Sequence, residues 1–325
     1  EFSIQTQNFS AEYGRNAGSQ VNVVSKAGTN EFHGSVWEFL RNNHLNARNF
    51  FASRVPTKIQ NQFGFAVGGP IKKDKVFIFG SYQGLRDRAE AVGISLNVPS
   101  DAHRAGDFRD LLESNQLKNP VDTLTGQPFA DSGGKACIAG NVVNPNCITA
   151  VAKALLPYVP QSPSGRVTSL DPTPRDNNMY LLRADWNQSD KHFINGHVFF
   201  DRNKRDRPLF RSGNIPGYLG SFLEQGTSKA TLNDTYTFSP TVLNQASVTF
   251  LRSASHSNVT DTVTHDKVGV NLPFYPESGR LSVSAGDLSF GSGSRVLFVS
   301  NNWQFRNQTN WVKGRHSLKF GGEWL

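Results

Sequence analysis

The residues of this chain that could do chemistry are few, and their spacing argues against most active sites. Its eight His residues lie far apart. None has metal-ligand spacing to another His or to a Cys, so no metal site is expected, and His33 and His197 read as strand residues. There is no His-Glu-x-x-His, no Gly-x-Ser-x-Gly elbow, no Walker A sequence and no dinucleotide glycine fingerprint. The run Gly68, Gly69, Pro70, Ile71, Lys72 and Lys73 superficially has the make-up of a phosphate cradle. Pro70 removes one amide donor from it, and a strand end followed by a basic turn accounts for it better. An enzyme would need loop carboxylates such as Asp101, Asp107 and Asp110 to converge, which nothing in their spacing demands. No catalytic residue and no cofactor is expected.

Two groups carry other chemistry. Cys137 and Cys147 bracket a stretch containing Gly and Pro. In an exported protein such a pair reads as a disulfide; in a reducing compartment it would be two free thiols. Arg202, Lys204, Arg205, Arg207 and Arg211 gather positive charge that either faces solvent or meets anionic groups, since Arg pairs bidentately with phosphate. The net charge of +8 raises a nucleic-acid reading. Elsewhere Lys and Arg are scattered near predicted turns and loops and form no compact basic face, so no nucleic-acid partner is expected.

The elements that must position these residues are strands. Phe at 24 and Gly at 29 make a strand-and-turn composition. Mean hydropathy is −0.44, and no stretch approaches the roughly 20 consecutive apolar residues of a spanning helix. Period-2 alternation predicts strands at Phe32 to Arg41, Gln60 to Ile71, Lys75 to Leu85, Asn178 to Ser189 and Lys191 to Arg202. Four more are predicted at Ser228 to Phe238, Leu243 to Arg252, Asn302 to Val312 and His316 to Leu325. Most are longer than the roughly 5 to 6 residues of soluble strands and match the roughly 9 to 11 that cross a bilayer.

Trp303, Phe305, Thr309 and Trp311 share one face, while Asn302, Gln304, Arg306, Gln308 and Asn310 share the other. Leu318, Phe320 and Trp324 likewise oppose Lys319 and Glu323, and Tyr180, Leu182, Ala184 and Trp186 oppose Arg183, Asp185 and Asn187. The first, third and fifth strands alternate poorly, with Trp37, Phe39, Phe193 and Phe199 on the wet side. A soluble antiparallel sandwich has the same period. The connections decide, because tight ones around 72–74, 190, 240–241 and 314 alternate with long ones at 42–59, 86–177, 203–227 and 253–301. Short periplasmic turns and long extracellular loops follow one another in this way around an outer-membrane barrel. The fold expected is therefore all-β, a partial transmembrane antiparallel β-barrel of about nine strands. Both chain ends read as cut from a longer protein.

Tyr13, Gly14, Ala17, Gly18, Val21, Asn22, Val23, Val24, Ser25 and Lys26 resemble the end of the plug domain in TonB-dependent receptors. Gly28 to Ser35 looks like the plug-to-barrel junction of the large Oar-like members, which often carry a carboxypeptidase-regulatory-like domain. Asn61, Gln62, Phe63 and Gly64, then Gly68 to Ile71 and Lys75 to Phe79, resemble their second and third strands. The resemblance implies the C-terminal end of a plug over residues 1–30 and the first part of a barrel over 31–325. The complete barrel would have about 22 strands. It also implies TonB-coupled uptake of a scarce siderophore, glycan or peptide at the outer membrane of a Gram-negative bacterium. TonB would engage through a segment upstream of Glu1. The alternative is a structural or adhesive barrel without transport. On either reading Arg202, Lys204, Arg205, Arg207 and Arg211 fall in an extracellular loop, as candidate contacts for lipopolysaccharide or an anionic ligand.

Overall fold

A computed structural model describes residues 2–6, 19–50, 54–89, 94–113, 116–169, 173–207, 221–259, 265–270, 282–285, 288–291 and 296–325. Nine strands form one antiparallel sheet: β1 His33–Asn42, β2 Lys58–Lys72, β3 Val76–Ala89, β4 Arg175–Ser189, β5 His192–Arg207, β6 Ser221–Ser239, β7 Val242–Val259, β8 Val296–Lys313 and β9 His316–Trp324. Each pairs with its neighbours in the chain, and β1 and β9 form the two edges of an open sheet. All nine predicted strands are present.

β2 to β8 are longer than predicted, and their extra residues lie almost wholly at the long-loop end, whereas β1 and β9 keep about their predicted lengths. β6 runs for 19 residues and β7 for 18. The connections predicted at 42–59, 86–177, 203–227 and 253–301 are accordingly shorter. In the added segments Asn203 to Arg207 is polar throughout, and opposite it Phe222 and Leu223 are adjacent and so fall on opposite faces, which leaves no hydrophobic period to read.

At the other end the turns are tight. Asp74 (φ 59°) and Gly314 (φ 61°) supply the left-handed residue in two of them. Asp190 with Lys191 and Pro240 with Thr241 make the other two, each preceded by a register shift, at Asn187/Ser189 and Thr237/Ser239. The fixed φ of Pro240 suits a type I turn, and the added residue restores the strand twist.

The two faces of the sheet differ as the alternation requires. Register places Tyr180, Leu182 and Trp186 beside Phe200, Val198 and Ile194 on the outer face. Phe250, Trp303, Phe305 and Trp324 continue that face, with ring centroids 4.8 Å apart for Phe250 and Trp303 and 5.4 Å for Phe305 and Trp324. These apolar side chains are exposed: Val36 85%, Leu182 49%, Trp303 52%. A contiguous apolar band of this extent is not left to water in a soluble monomer. Among the described residues the buried apolar side chains are Phe79, Val98, Cys137, Val159 and Val268, and Phe79 alone belongs to the sheet. A sandwich would bury one whole face. This sheet buries neither.

The segment between β3 and β4 is not an irregular loop. Residues 94–97 pair with 166–169, and two short helices, α1 Asp101–Arg104 and α2 Ala150–Leu155, are capped by the Ser100 and Thr149 side chains. A hairpin of Ile138–Ala139 with Val142–Val143 turns through Gly140 (φ 57°) and Asn141 (φ 60°). The expected all-β class thus carries a small mixed unit on its long-loop end. Residues 2–5 pair with 20–23 as a separate two-stranded sheet. Arg211 and the stretch from Tyr13 to Gly18 lie outside the described residues.

Candidate functional site

The inner face of the sheet is the one on which Arg183 and Asp185 lie. Residues i and i+2 of a strand share a face, so Arg183 reaches Asp185 along β4 itself. Its Nε donates to Oδ2 at 2.9 Å and its Nη2 to Oδ1 at 2.7 Å. Asp185 is buried, at 3% exposure, and depends on that cation. The remaining guanidinium nitrogen, Nη1, donates to the backbone carbonyl and the hydroxyl of Ser25, both at 3.0 Å.

Ser25 belongs to the segment leading into β1, which this contact ties against the inner wall. Two further anchors follow. Gly28 sits so close to the β2–β3 backbone that a Cβ there would lie 2.8 Å from the Gly69 carbonyl and 2.5 Å from that of Ile78. Asn30 then grips the first tight turn: its Nδ2 donates to Asp74 Oδ1 at 2.6 Å, and its Oδ1 accepts from the Asp74 amide at 2.8 Å. The Gly68–Gly69 run is therefore a landing strip for Gly28 and for the Phe32 ring, not a phosphate cradle. A cavity of about 370 Å³ remains beside it, lined by Lys26, Thr29, His33, Ser35 and Phe79.

The rest of the inner wall is polar. Asn195 accepts from Asn233, Thr231 meets Thr249, and Arg306 donates to Gln308 at 2.9 Å. A groove of about 590 Å³ is lined by Phe193, Asn195, Asn233, Gln245, Arg306 and Lys319. Phe193 and Phe199, awkward for the alternation, lie on this wall by register, as do Trp37 and Phe39. The Trp37 ring covers Gly64, where a Cβ would stand 2.6 Å from it. An aromatic packed over a strand glycine fills the gap that the missing side chain leaves.

The outer membrane beta barrel domain model matches residues 24–325. The chain belongs to that family. Its exposed outer band therefore faces outer-membrane lipid, and its inner wall is a lumen. A second comparison is more specific about kinship. Over 90 residues the barrel chain is 36% identical to the TonB-dependent transporter Oar of Myxococcus xanthus, a stretch that is 25% of this chain and 8% of that protein. The barrel chain is thus distantly similar to a transporter of which the match spans a small part.

Above the barrel, Cys137 and Cys147 are joined, with Cα atoms 5.5 Å apart. Asp131 organises the loop they close. It accepts from the Asn144 side chain at 2.8 Å and from the Gly133 and Lys135 amides at 3.0 Å, and these bonds hold its carboxyl down to about 2. Asn141, fully buried, ties three strands of chain together through Leu117, Phe108 and its own carbonyl. The carboxylates named for an enzymatic reading are engaged locally and separately: Asp107 with Arg109 at 2.6 Å, Asp110 with His103 at 2.9 Å. Among the described residues no group of three or more His, Cys, Asp or Glu could hold a metal.

Strand alternation splits the predicted basic cluster. Arg202 and Lys204 lie on the outer, lipid-facing side with Asn178 and Asp176, whereas Arg205 lies on the lumen side opposite Arg175. Arg207 pairs with Ser221 at the strand end. Register instead brings Arg86 and Arg88 of β3 and Arg252 of β7 to the same outer side as Arg202. Sequence reasoning missed these three because they come from separate strands. Arg252 follows the outward Phe250 by two residues, and Arg86 and Arg88 follow the outward Tyr82 by four and six, and that even spacing was the available signal.

Proposed function

We propose that this barrel is part of a TonB-coupled receptor for active uptake of a scarce solute of the siderophore, glycan or peptide class. The observation that carries the reading is the path of residues 24–31. They reach β1 along the lumen wall, held at Ser25, Gly28 and Asn30, as a chain must if it connects a plug inside the barrel to the first strand. On this reading residues 1–30 are the end of the plug and 31–325 the first part of a barrel of about 22 strands, wide enough to need plugging. The similarity to a TonB-dependent transporter supports it. The polar wall of Asn195, Asn233, Arg306 and Gln308 would line the solute's path, and the loops above would capture it.

A second reading, an adhesive or structural barrel, draws support from the folded, disulfide-closed unit between β3 and β4, which is large for a solute gate. The test is uptake by the source bacterium from a labelled pool of siderophores, oligosaccharides and peptides. Deletion of the gene, or of TonB, should abolish accumulation of one solute in the same way. Accumulation that is lost in neither strain, with loss of surface attachment in the gene deletion, would replace transport by adhesion.

A further inference from the structure

The lipid-facing side of β3 to β7 changes character within one step of the strand. Phe63, Tyr82, Tyr180 and Phe200 form an aromatic row across β2 to β5, with Tyr82 and Tyr180 centroids 5.0 Å apart and Phe63 and Tyr82 6.1 Å apart. Phe250 and Trp303 add a second aromatic pair on β7 and β8, one outward position nearer the short turns by register. Rows of this kind mark the membrane interface of outer-membrane barrels. Two residues further toward the long-loop end, about 7 Å by strand rise, the outward positions become Asn178, Arg202 and Arg252, with Arg86 four beyond Tyr82. Arg86 and Arg202 lean back over the aromatics, 5.6 Å from the Phe63 centroid and 5.7 Å from that of Phe200.

The charges in this row are not all cancelled. Arg88 is paired with Asp176 at 2.7 Å, Arg86 reaches the same carboxylate at 4.0 Å, and Lys204 lies 3.9 Å from Glu224. Arg202 and Arg252 are held by neutral acceptors instead. Arg202 donates to the Asp201 and Thr227 carbonyls and to the Ser228 hydroxyl, each at 2.9 Å, and Arg252 donates to Asn301 at 3.1 Å. These bonds fix two guanidinium groups facing outward. Between them lies a cavity of about 570 Å³, lined by Arg202, Lys204, Arg252 and His256 and also by the carboxylates Asp176 and Glu224, which already pair with Arg88 and Lys204.

We infer that this cavity binds a phosphate group of the phosphorylated glycolipid of the outer leaflet. The family places the chain in the outer membrane, and the long-loop end of such a barrel is its outer-leaflet end. What faces this side at that height is a glycolipid headgroup, and a headgroup phosphate supplies the counter-charge that Arg202 and Arg252 do not find among the described residues. Arg suits the task because its fork matches two phosphate oxygens at once. The inference needs only the outer-membrane placement and stands or falls independently of transport.

The test uses the full-length protein in nanodiscs, with retained lipid counted by native mass spectrometry. The probes are bisphosphorylated lipid A, dephosphorylated lipid A and inorganic phosphate. The wild type should retain bisphosphorylated over dephosphorylated lipid A by about tenfold, and R202Q/K204Q/R252Q should lose that preference. R205Q, on the lumen side, should keep it. Heat-dependent gel mobility checks folding, and R252Q alone, with a partial loss, serves if the triple variant does not fold. Equal retention of the two lipids, or a triple variant that still discriminates, overturns the inference. Displacement of the lipid by millimolar inorganic phosphate also overturns it, since the site would then take a free anion.

Discussion

Replacing Arg183 by Met should have two consequences of different origin, and a second substitution separates them. The first is stability. Arg183 is the cation for Asp185, which is 3% exposed. Losing one partner of so buried a pair strands a carboxylate and costs about 3–5 kcal/mol, whereas replacing both partners by apolar residues is often nearly neutral. R183M should therefore lower the urea midpoint of the full-length protein in detergent, and R183M/D185L should recover most of the loss. The second is attachment of the segment before β1. Both bonds from Nη1 to Ser25 disappear in either variant. A bond to a charged group contributes about 1.5–3 kcal/mol net, so the segment should detach at least about tenfold more often in both variants. Trypsin cleavage after Lys26, timed on gels, reads that frequency. The reasoning is refuted if R183M cleaves no faster than the wild type, or if the double variant is as unstable as the single one.

Removal of the disulfide by C137S/C147S should loosen the loop it closes while leaving the sheet's unfolding midpoint in place. For a sequence separation of 10 the chain-entropy cost is about 2–3 kcal/mol, on the order of a hundredfold in protease nicking between 131 and 147; unchanged nicking would refute it. The same loop should respond to acid through Asp131. Its carboxyl is depressed to about 2 from an ordinary 3.8, so the order it confers is complete above about 4 and lost as pH falls through about 2. Hydrogen exchange at Gly133 and Lys135 should therefore be slow at pH 4 and fast near pH 1.5, and protection that persists at pH 1.5 would sink the assignment.

The centres of all nine strands were legible because, within the membrane, the two faces meet lipid and water. Trp303 and Phe305 against Gln304 and Arg306 is a contrast that a sequence displays directly. Beyond the membrane both faces meet water, and Ser253 to Val259 loses its period while remaining a strand. The aromatics that broke the pattern were also real lumen residues. Trp37 faces inward because Gly64 across the strand pair leaves it room, a pairing that sequence distance hides. The unit between β3 and β4 was read as a loop because its order comes from Asn141, Asp131 and short turns instead of from an apolar period. The basic cluster was read as one patch because adjacency in sequence was taken for adjacency in space; on a strand it means opposite faces.

The length of the strands has a consequence of its own. At about 3.3 Å per residue and a tilt near 40°, the 19 residues of β6 rise roughly 48 Å, about twice the 25 Å height of an outer-membrane apolar band. The surplus is a stiff hydrogen-bonded collar standing clear of the apolar band. Out there backbone pairing with the neighbouring strands, and not lipid, keeps the rim in shape, and the long connections start from a rigid edge instead of from the bilayer surface.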